Sequence, residues 1–164
     1  SVGGSLVDES KLSIAKDMLN KARVKGVKLS FPVDVICGRS IDDPRDIATY
    51  AIQDIPDDYM GLDIGPESIK MFNSILGNSK TILWNGPMGI FEKKAFELGT
   101  REMAIHLVSC VSNGSKVVVG GGDTAAALES FGLLKDMTHV STGGGASLEL
   151  LGGNQLSAIK VLEK

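Results

Sequence analysis

Residues 117–124 read VVVGGGDT: three valines, three glycines, an aspartate and a threonine. The valines predict a buried strand, because β-branched residues favour strands and none of the three is polar. The glycines end this strand, since a backbone without Cβ atoms can turn sharply and expose its N–H groups. A helix that follows directly would add the positive end of its dipole, and this combination favours phosphate binding.

A second glycine triplet repeats this plan. Residues 139–147 read HVSTGGGAS, so a short strand again leads through three glycines into a helix. Residues 120–124 are not a P-loop, which ends in Gly-Lys-Ser or Gly-Lys-Thr, and they lack the spacing of the dinucleotide fingerprint. Two such backbone sites in one domain predict that two anionic groups are bound close together.

Strand and helix patterns alternate along most of the chain. Strands are predicted at 61–64, 80–84, 116–119 and 138–141, and helices at 66–76, 96–112, 124–131 and 146–151. This alternation predicts an α/β fold with a Rossmann-like parallel sheet and helices on both faces. Right-handed crossovers would bring the carboxyl end of every strand to one edge of the sheet, where ligands bind in such folds.

The beginning of the chain is less regular. Apolar residues recur at helical spacing between residues 12 and 22, which predicts a surface helix with one buried face. Pro32 excludes a continuous central strand through that point. Residues 38–59 are polar and are predicted to form a loop or edge structure that could include a short hairpin.

Composition restricts the class of protein. The 164 residues are 43% hydrophobic and 23% charged with a net charge of −3, which is typical of one globular domain. The basic residues are dispersed, which argues against nucleic-acid binding. There is no signal-like start and no apolar run of about 18 residues. We therefore expect no membrane partner and a cytoplasmic location.

Neither the cysteines nor the histidines form a pattern that indicates chemistry. Cys37 and Cys110 have no Cys or His neighbour at metal-ligand spacing, and two cysteines do not make a disulfide framework. His106 lies within a helical pattern and His139 starts a strand. We predict structural roles for all four residues.

Two further segments are candidates for a ligand site. In WNGPMGIFE, residues 84–92, Asn85 ends a strand and is followed by Ile90 and Glu92. An apolar wall and a carboxylate suit adenosine, while the alternative is an ordinary turn with Ile90 in the core. Gly61 and Leu62 could supply the opposite wall, since a glycine admits a base close to the backbone.

Asp123 directly follows the first glycine triplet. Its carboxylate could cap the helix that begins there, or it could help to hold a divalent cation beside bound phosphates. One residue can serve in both ways, and the sequence leaves both interpretations open.

Four motifs, taken in order, resemble the successive signatures of phosphoglycerate kinase. They are GLDIGP at 61–66, LWNGPMGIFE at 83–92, GGGDT at 120–124 and HVSTGGGASLE at 139–149. The similarity runs over nearly the whole chain. It implies that residues 1–164 are the later part of the C-terminal, nucleotide-binding domain of this two-domain kinase. The N-terminal substrate domain and the first strands of the nucleotide domain would then be absent.

The resemblance also implies an activity and a set of site residues. The family transfers a phosphoryl group reversibly between 1,3-bisphosphoglycerate and ADP in glycolysis, giving 3-phosphoglycerate and ATP. The implied nucleotide contacts are Gly61, Leu62 and Ile90 at adenine, Glu92 at ribose, Asn85 at the phosphate chain, and the backbone amides of Gly121, Gly122 and Thr124 at phosphates. Asp123 would hold Mg²⁺ with ADP or ATP. The group in transit would be bound by Gly122 together with Gly143, Gly144 and Gly145.

The same resemblance implies what this chain lacks. Phosphoglycerate would bind through the absent N-terminal domain, so we predict no kinase turnover from this polypeptide alone. The full-length parent is expected to be a monomer. Two alternatives stay open: a nucleotide-binding module without catalysis, and a fragment of an NAD-dependent dehydrogenase that uses the glycines for pyrophosphate.

Overall fold

The computed structural model describes residues 2–153 and divides into two compact units, of which the first ends at Phe72 and the second begins at Asn73. The helices are α1 (Leu12–Val24), α2 (Pro66–Gly77), α3 (Leu98–Ser112), α4 (Gly122–Ser130) and α5 (Gly144–Leu151). The strands are β1 (Asp34–Gly38), β2 (Ile47–Ala51), β3 (Met60–Ile64), β4 (Thr81–Asn85), β5 (Lys116–Gly120) and β6 (His139–Ser141).

An antiparallel sheet of order β2-β1-β3 forms the centre of the first unit. In its register Val35 lies between Tyr50 and Ile64, and the side chains of Val35, Cys37, Ile55 and Tyr59 form the core. Residues 38–59, predicted as a loop or edge structure with a possible short hairpin, contribute the edge strand β2, which forms its hairpin with the preceding β1. The prediction that every strand ends at one edge of a parallel sheet is wrong for β1, β2 and β3. Strand β1 runs antiparallel to both β2 and β3, and the described residues between β1 and β3 contain no crossover helix of the kind that joins parallel strands.

Helix α1 forms where the spacing predicts it but does not bury its apolar face. Its side chains at Met18 and Leu19 are 63% and 46% exposed, and none of its residues is buried by any part of the chain that the structure describes. The prediction of a buried face is therefore wrong here. Helical periodicity identifies an amphipathic segment, but it does not supply the surface that covers it.

A carboxylate on β1 fixes the start of α2. Asp34 is 8% exposed, and its carboxylate accepts the N–H of Ser68 at 2.7 Å and the N–H of Glu67 at 3.1 Å. The Ser68 hydroxyl donates to the same carboxylate at 2.6 Å. A Cβ atom at Gly65 would overlap the Asp34 carboxyl group, so the close approach requires glycine there. Pro66 occupies the first position of the helix, as predicted.

We expect the Asp34 contact to make the first unit sensitive to acid. Burial raises the pKa of Asp34, but the hydrogen bonds from Ser68 and Glu67 outweigh it and hold the pKa below its ordinary value. Because the folded-state pKa is depressed, the stabilisation is present above the unfolded pKa of about 3.9 and is lost as the pH falls through the folded value. Asp34→Asn should lower stability at pH 7 by about 1–3 kcal/mol and remove this acid dependence.

The protection factor of the Ile69 amide measures this effect, since Ile69 donates to the Gly65 carbonyl at the start of α2 at 3.0 Å. Glu67→Gln is the matched control, because Glu67 is an exposed carboxylate in the same helical turn. It should cost only a few tenths of a kcal/mol, roughly the worth of a charge near a helix dipole. Equal losses for the two variants would contradict the buried-carboxylate explanation.

A parallel sheet of order β4-β5-β6 organises the second unit and confirms the predicted α/β class. Burial alternates along β4, where Ile82 and Trp84 face the core while Leu83 is 42% exposed. The covered face meets Leu107 of α3 and Leu128 of α4. Helix cover of the second face, also predicted, is not seen at Leu83 among the described residues.

No helix within residues 2–153 is long and apolar enough to cross a membrane. Residues 154–164, a short segment that follows the Gly152-Gly153 break and ends in charged residues, lie outside the described residues.

Candidate functional site

The three parallel strands end level with one another. Asn85 of β4 pairs with Gly120 of β5, and Gly120 pairs with Ser141 of β6. Because the strands are parallel, these residues mark the carboxyl edge of the sheet. The segment at 84–92 and both glycine triplets therefore leave the sheet at the same edge, as the sequence predicts.

Backbone donors are exposed at the start of α4. Gly121 precedes the helix with φ +100°, and the first helical hydrogen bond runs from the Ala125 N–H to the Gly121 carbonyl at 3.1 Å. The N–H groups of residues 122–124 come before that bond and lie at the positive end of the helix. The Gly121 N–H is not among these donors, because it donates to the Ser141 carbonyl at 2.9 Å. The expectation that the Gly121 amide faces phosphate is therefore wrong.

Helix α5 begins in a similar way. The Gly143 N–H donates to the Ser141 hydroxyl oxygen at 3.3 Å, and the first helical bond runs from the Ser147 N–H to the Gly143 carbonyl at 3.0 Å. The N–H groups of residues 144–146 precede this bond, which leaves a second set of donors at a helix start. Ser141 thus accepts a hydrogen bond from each glycine triplet, one at its carbonyl oxygen and one at its hydroxyl oxygen.

The two helix starts touch each other at Gly144. A Cβ atom there would lie 2.6 Å from the Gly121 Cα, 2.7 Å from the Gly121 nitrogen and 2.9 Å from the Asn85 Oδ1. Contacts this short leave no room for any side chain at residue 144. The glycine is required by packing, and the two sets of N–H donors consequently lie side by side.

Gly122 and Gly145 serve differently from Gly144. A Cβ atom at either position would have no heavy atom within 4 Å among the described residues, apart from its local backbone. Both glycines therefore border open space, one at the start of α4 and the other at the start of α5. These are the positions at which the backbone is accessible to a ligand rather than packed against a neighbour.

Asp123 lies exposed in the first turn of α4. Among the described residues, no hydrogen bond or ion pair involves its side chain, so the capping interpretation finds no support in the geometry. The described residues also contain no group of three or more His, Cys, Asp or Glu side chains that could hold a metal. A Mg²⁺ ion here would thus rely on one carboxylate together with phosphate and water oxygens, which is a common arrangement for this ion.

Hydrogen bonds to side chains hold the segment that follows Asn85. The Gly86 N–H donates to the Thr124 hydroxyl oxygen at 2.8 Å, and the Trp84 Nε1–H donates to the Gly86 carbonyl at 2.8 Å. Further along, the Met88 N–H donates to the Thr100 hydroxyl oxygen at 3.0 Å. The Thr124 and Thr100 side chains are fully buried, and Asn85 stays exposed at the sheet edge.

Glu92 borders an open groove of about 670 Å³. Its other lining residues are Phe91, Lys94, Glu97, Arg101, Ser130 and Phe131. Arg101 is paired with Glu97 at 3.3 Å, whereas the Glu92 side chain is exposed. Ile90 is half-buried two residues earlier. The carboxylate predicted to contact ribose is therefore accessible.

Gly61 and Leu62 lie on β3 of the first unit and are described within that unit alone. The Gly61 N–H donates to the Ser5 hydroxyl oxygen at 3.0 Å. Leu62 is only 6% exposed, and its Cδ1 would lie 3.2 Å from a Cβ atom at Gly38. As described, the Leu62 side chain belongs to the interior and presents little surface to a ligand.

The thiols and imidazoles do not add reactive groups to this site. Cys37 and Cys110 are buried and free, and burial raises the pKa of both thiols, which disfavours the nucleophilic thiolate. The His106 Nε2 is buried without a hydrogen-bond partner among the described residues. Its neighbour is Gly77, at which a Cβ atom would lie 3.6 Å away.

The sequence did not indicate the roles of Ser141 and Thr100, whose oxygen atoms accept backbone N–H groups of other residues in the site. The spacing of Ser141 to Gly143 is that of a serine turn, which gives a weak local signal. Thr100 has no such signal, because it is twelve residues from the Met88 N–H that it accepts.

Two adjacent helix starts at the carboxyl edge of a parallel sheet define an α/β protein whose backbone donors suit an anionic ligand. The phosphoglycerate kinase family model matches residues 1–154, so the chain belongs to the phosphoglycerate kinase family.

Individual relatives agree with this assignment. The chain is 47% identical to the phosphoglycerate kinase of Synechococcus elongatus over 163 residues, and 46% identical to that of Thermosipho africanus over 160 residues. These matches cover 99% and 97% of this chain, and each covers 40% of the relative. The chain therefore spans about 40% of the length of the curated relatives it matches.

Solved structures give the same result. The phosphoglycerate kinase of Coxiella burnetii is similar with a TM-score of 0.89 and 38% identity, and the match covers 99% of this chain and 41% of that structure. The enzyme of Pyrococcus horikoshii is similar with a TM-score of 0.69 and 25% identity, over 99% of this chain and 40% of that structure.

Proposed function

We propose that this chain supplies the nucleotide half of a phosphoglycerate kinase and binds MgADP or MgATP at the carboxyl edge of β4-β5-β6. The observation that carries the proposal is the contact between Gly144 and Gly121, which sets two rows of backbone donors next to each other. One helix start suits one phosphate group, whereas two adjacent starts suit a polyphosphate and a transferring phosphoryl group.

The proposed reaction needs few reactive side chains. In the ATP-consuming direction a carboxylate oxygen of 3-phosphoglycerate attacks the γ-phosphorus, the bond to the ADP oxygen breaks, and an acyl phosphate forms. A carboxylate is already ionised at neutral pH, so no general base is required. Catalysis then depends on alignment and on neutralising the charge of the transferring oxygens.

The donors of residues 122–124 and 144–146 are suited to this neutralisation. They belong to the backbone at helix starts, so they need little reorganisation when charge develops. Gly122 and Gly145 leave open space for a phosphate to approach, and Asn85, which is exposed, has its Oδ1 beside Gly121 and Gly144. When bound, Mg²⁺ would offset phosphate charge, and Asp123 is the residue that would hold it.

The proposal also assigns residues to the ribose and the base of the nucleotide. Glu92 would accept hydrogen bonds from ribose hydroxyls, and Ile90 would face the base. Phosphoglycerate would be bound by the part of the family fold that this chain does not match, which includes the N-terminal domain. The cytoplasmic location predicted from the sequence stays a prediction.

Calorimetric titration of the 164-residue chain tests the proposal. MgADP should bind, and inorganic pyrophosphate with Mg²⁺ should compete for the same site, because the backbone donors recognise phosphate rather than the base. NAD should bind more weakly than MgADP. Its pyrophosphate carries a nucleoside on each side, so NAD has no terminal phosphate to place at the helix starts. Binding of NAD in preference to MgADP, or of neither, would overturn the proposal.

A further inference from the structure

Thr100 lies in the first turn of α3 and is fully buried. Its hydroxyl oxygen accepts the Met88 N–H at 3.0 Å and the Gly89 N–H at a longer 3.4 Å. Both donors belong to the segment between Asn85 and Glu92, outside the helix that carries Thr100. The side chain therefore connects α3 to the loop on which the proposed ribose and adenine contacts are carried.

The loop is held at two places. Its beginning is fixed at Gly86, where the N–H donates to the Thr124 hydroxyl oxygen at 2.8 Å and the carbonyl accepts the Trp84 Nε1–H at 2.8 Å. Its middle is fixed by Thr100 at residues 88 and 89. Beyond that point, the Gly89 carbonyl accepts the Phe91 N–H at 2.9 Å.

These contacts divide the proposed site into two parts. The phosphate part consists of the helix starts of α4 and α5, and it is fixed by the Gly121, Gly144 and Ser141 contacts. Ile90 and Glu92 follow directly after the residues that Thr100 holds. A displacement at Met88 and Gly89 would thus move the nucleoside contacts and leave the phosphate donors in place.

We infer that Thr100 is a positioning residue for the nucleoside end of the nucleotide, and that it acts through the backbone of Met88 and Gly89. The inference rests on the proposed function of the site. A β-branched side chain suits this role because its χ1 angle is stiff, so that the hydroxyl oxygen is held in one place. Removing the oxygen would leave the Met88 and Gly89 N–H groups without their buried acceptor.

The test compares Thr100→Val with Thr100→Ser in the 164-residue chain. Valine keeps the volume but has no acceptor, whereas serine keeps the acceptor. Thr100→Val should weaken MgADP binding about tenfold and leave the binding of pyrophosphate with Mg²⁺ within about twofold of the unsubstituted chain. Thr100→Ser should restore most of the MgADP affinity.

Thr138→Val is the matched control. The Thr138 hydroxyl oxygen also accepts a backbone N–H, that of Val117 at 3.0 Å, but it does so at the opposite end of β5. This variant should lower thermal stability without changing the ratio of MgADP to pyrophosphate affinity. If Thr100→Val weakened both ligands equally, or if Thr138→Val changed the ratio in the same way, the positioning role would be refuted.

Amide hydrogen exchange separates this inference from the proposed function. Met88 and Gly89 should exchange faster in Thr100→Val than in the unsubstituted chain, whether or not any nucleotide binds, while Gly121 should keep its protection. Unchanged exchange at Met88 and Gly89 would overturn the inference even if MgADP binds normally. Failure of the unsubstituted chain to bind MgADP would instead overturn the proposed function and, with it, the role of Thr100 toward a nucleoside.

Discussion

Replacing Gly144 with alanine should lower the free energy of unfolding by about 1–3 kcal/mol. The added Cβ would lie 2.6 Å from the Gly121 Cα and 2.7 Å from the Gly121 nitrogen. Both are backbone atoms, so neither can move aside as a flexible side chain would. The helix starts must separate to accommodate the methyl group, and MgADP affinity should therefore fall at least about tenfold.

Gly145→Ala is the control for the stability effect, since a Cβ at the next residue meets nothing within 4 Å among the described residues. Its free energy of unfolding should change by less than about 0.5 kcal/mol, or increase, because alanine favours helices over glycine. Urea unfolding followed by Trp84 fluorescence measures both variants, since Trp84 is the single tryptophan and is 5% exposed in the core of the second unit. Equal stabilities of the two variants would show that the helix starts do not touch as described.

Asp123→Ala should weaken MgADP binding at least about tenfold and change the binding of metal-free ADP little. The carboxylate is exposed, makes no hydrogen bond with any described residue and lies at the helix start where phosphate is expected. Its removal therefore takes away a metal ligand without breaking a protein hydrogen bond. Titrations of ADP with Mg²⁺ and with a chelator measure the difference.

Glu129→Ala is the control for charge, because Glu129 is an exposed carboxylate at the other end of the same helix. It should leave both titrations unchanged. If Asp123→Ala reduced the binding of ADP equally with and without Mg²⁺, Asp123 would act on the helix start alone and the metal role would be excluded.

Local patterns predicted most of the second unit. The strands β4, β5 and β6 and the helix α3 begin and end within about two residues of the predicted ranges, which is the usual scatter of helix and strand ends. Valine runs and helical spacing are properties of neighbouring residues, so they can be read without knowing the partner. The first unit was less predictable, because antiparallel pairing of β1 with β2 and β3 depends on contacts between distant residues.

In the candidate site, too, local patterns predicted some features, whereas contacts between distant residues decided the others. The glycine triplets were visible in the sequence, but their separate roles were not. Gly121 needs its positive φ, Gly144 is required by a close approach, and Gly122 and Gly145 border open space. Asp34 gave no signal of its role, because the helix start that it holds lies more than thirty residues further along the chain.

By itself, the sequence determined the α/β class, the order of strands and helices from β3 onward, and the two glycine-rich turns, because each depends on periodicity and on the backbone freedom of glycine. Only the tertiary structure decided that the turns meet at Gly144, that Ser141 takes the Gly121 N–H, and that Thr100 and Thr124 hold the loop after Asn85. These are distances between residues far apart in the chain. Such distances follow from how the sheet and its helices pack, and no local pattern encodes them.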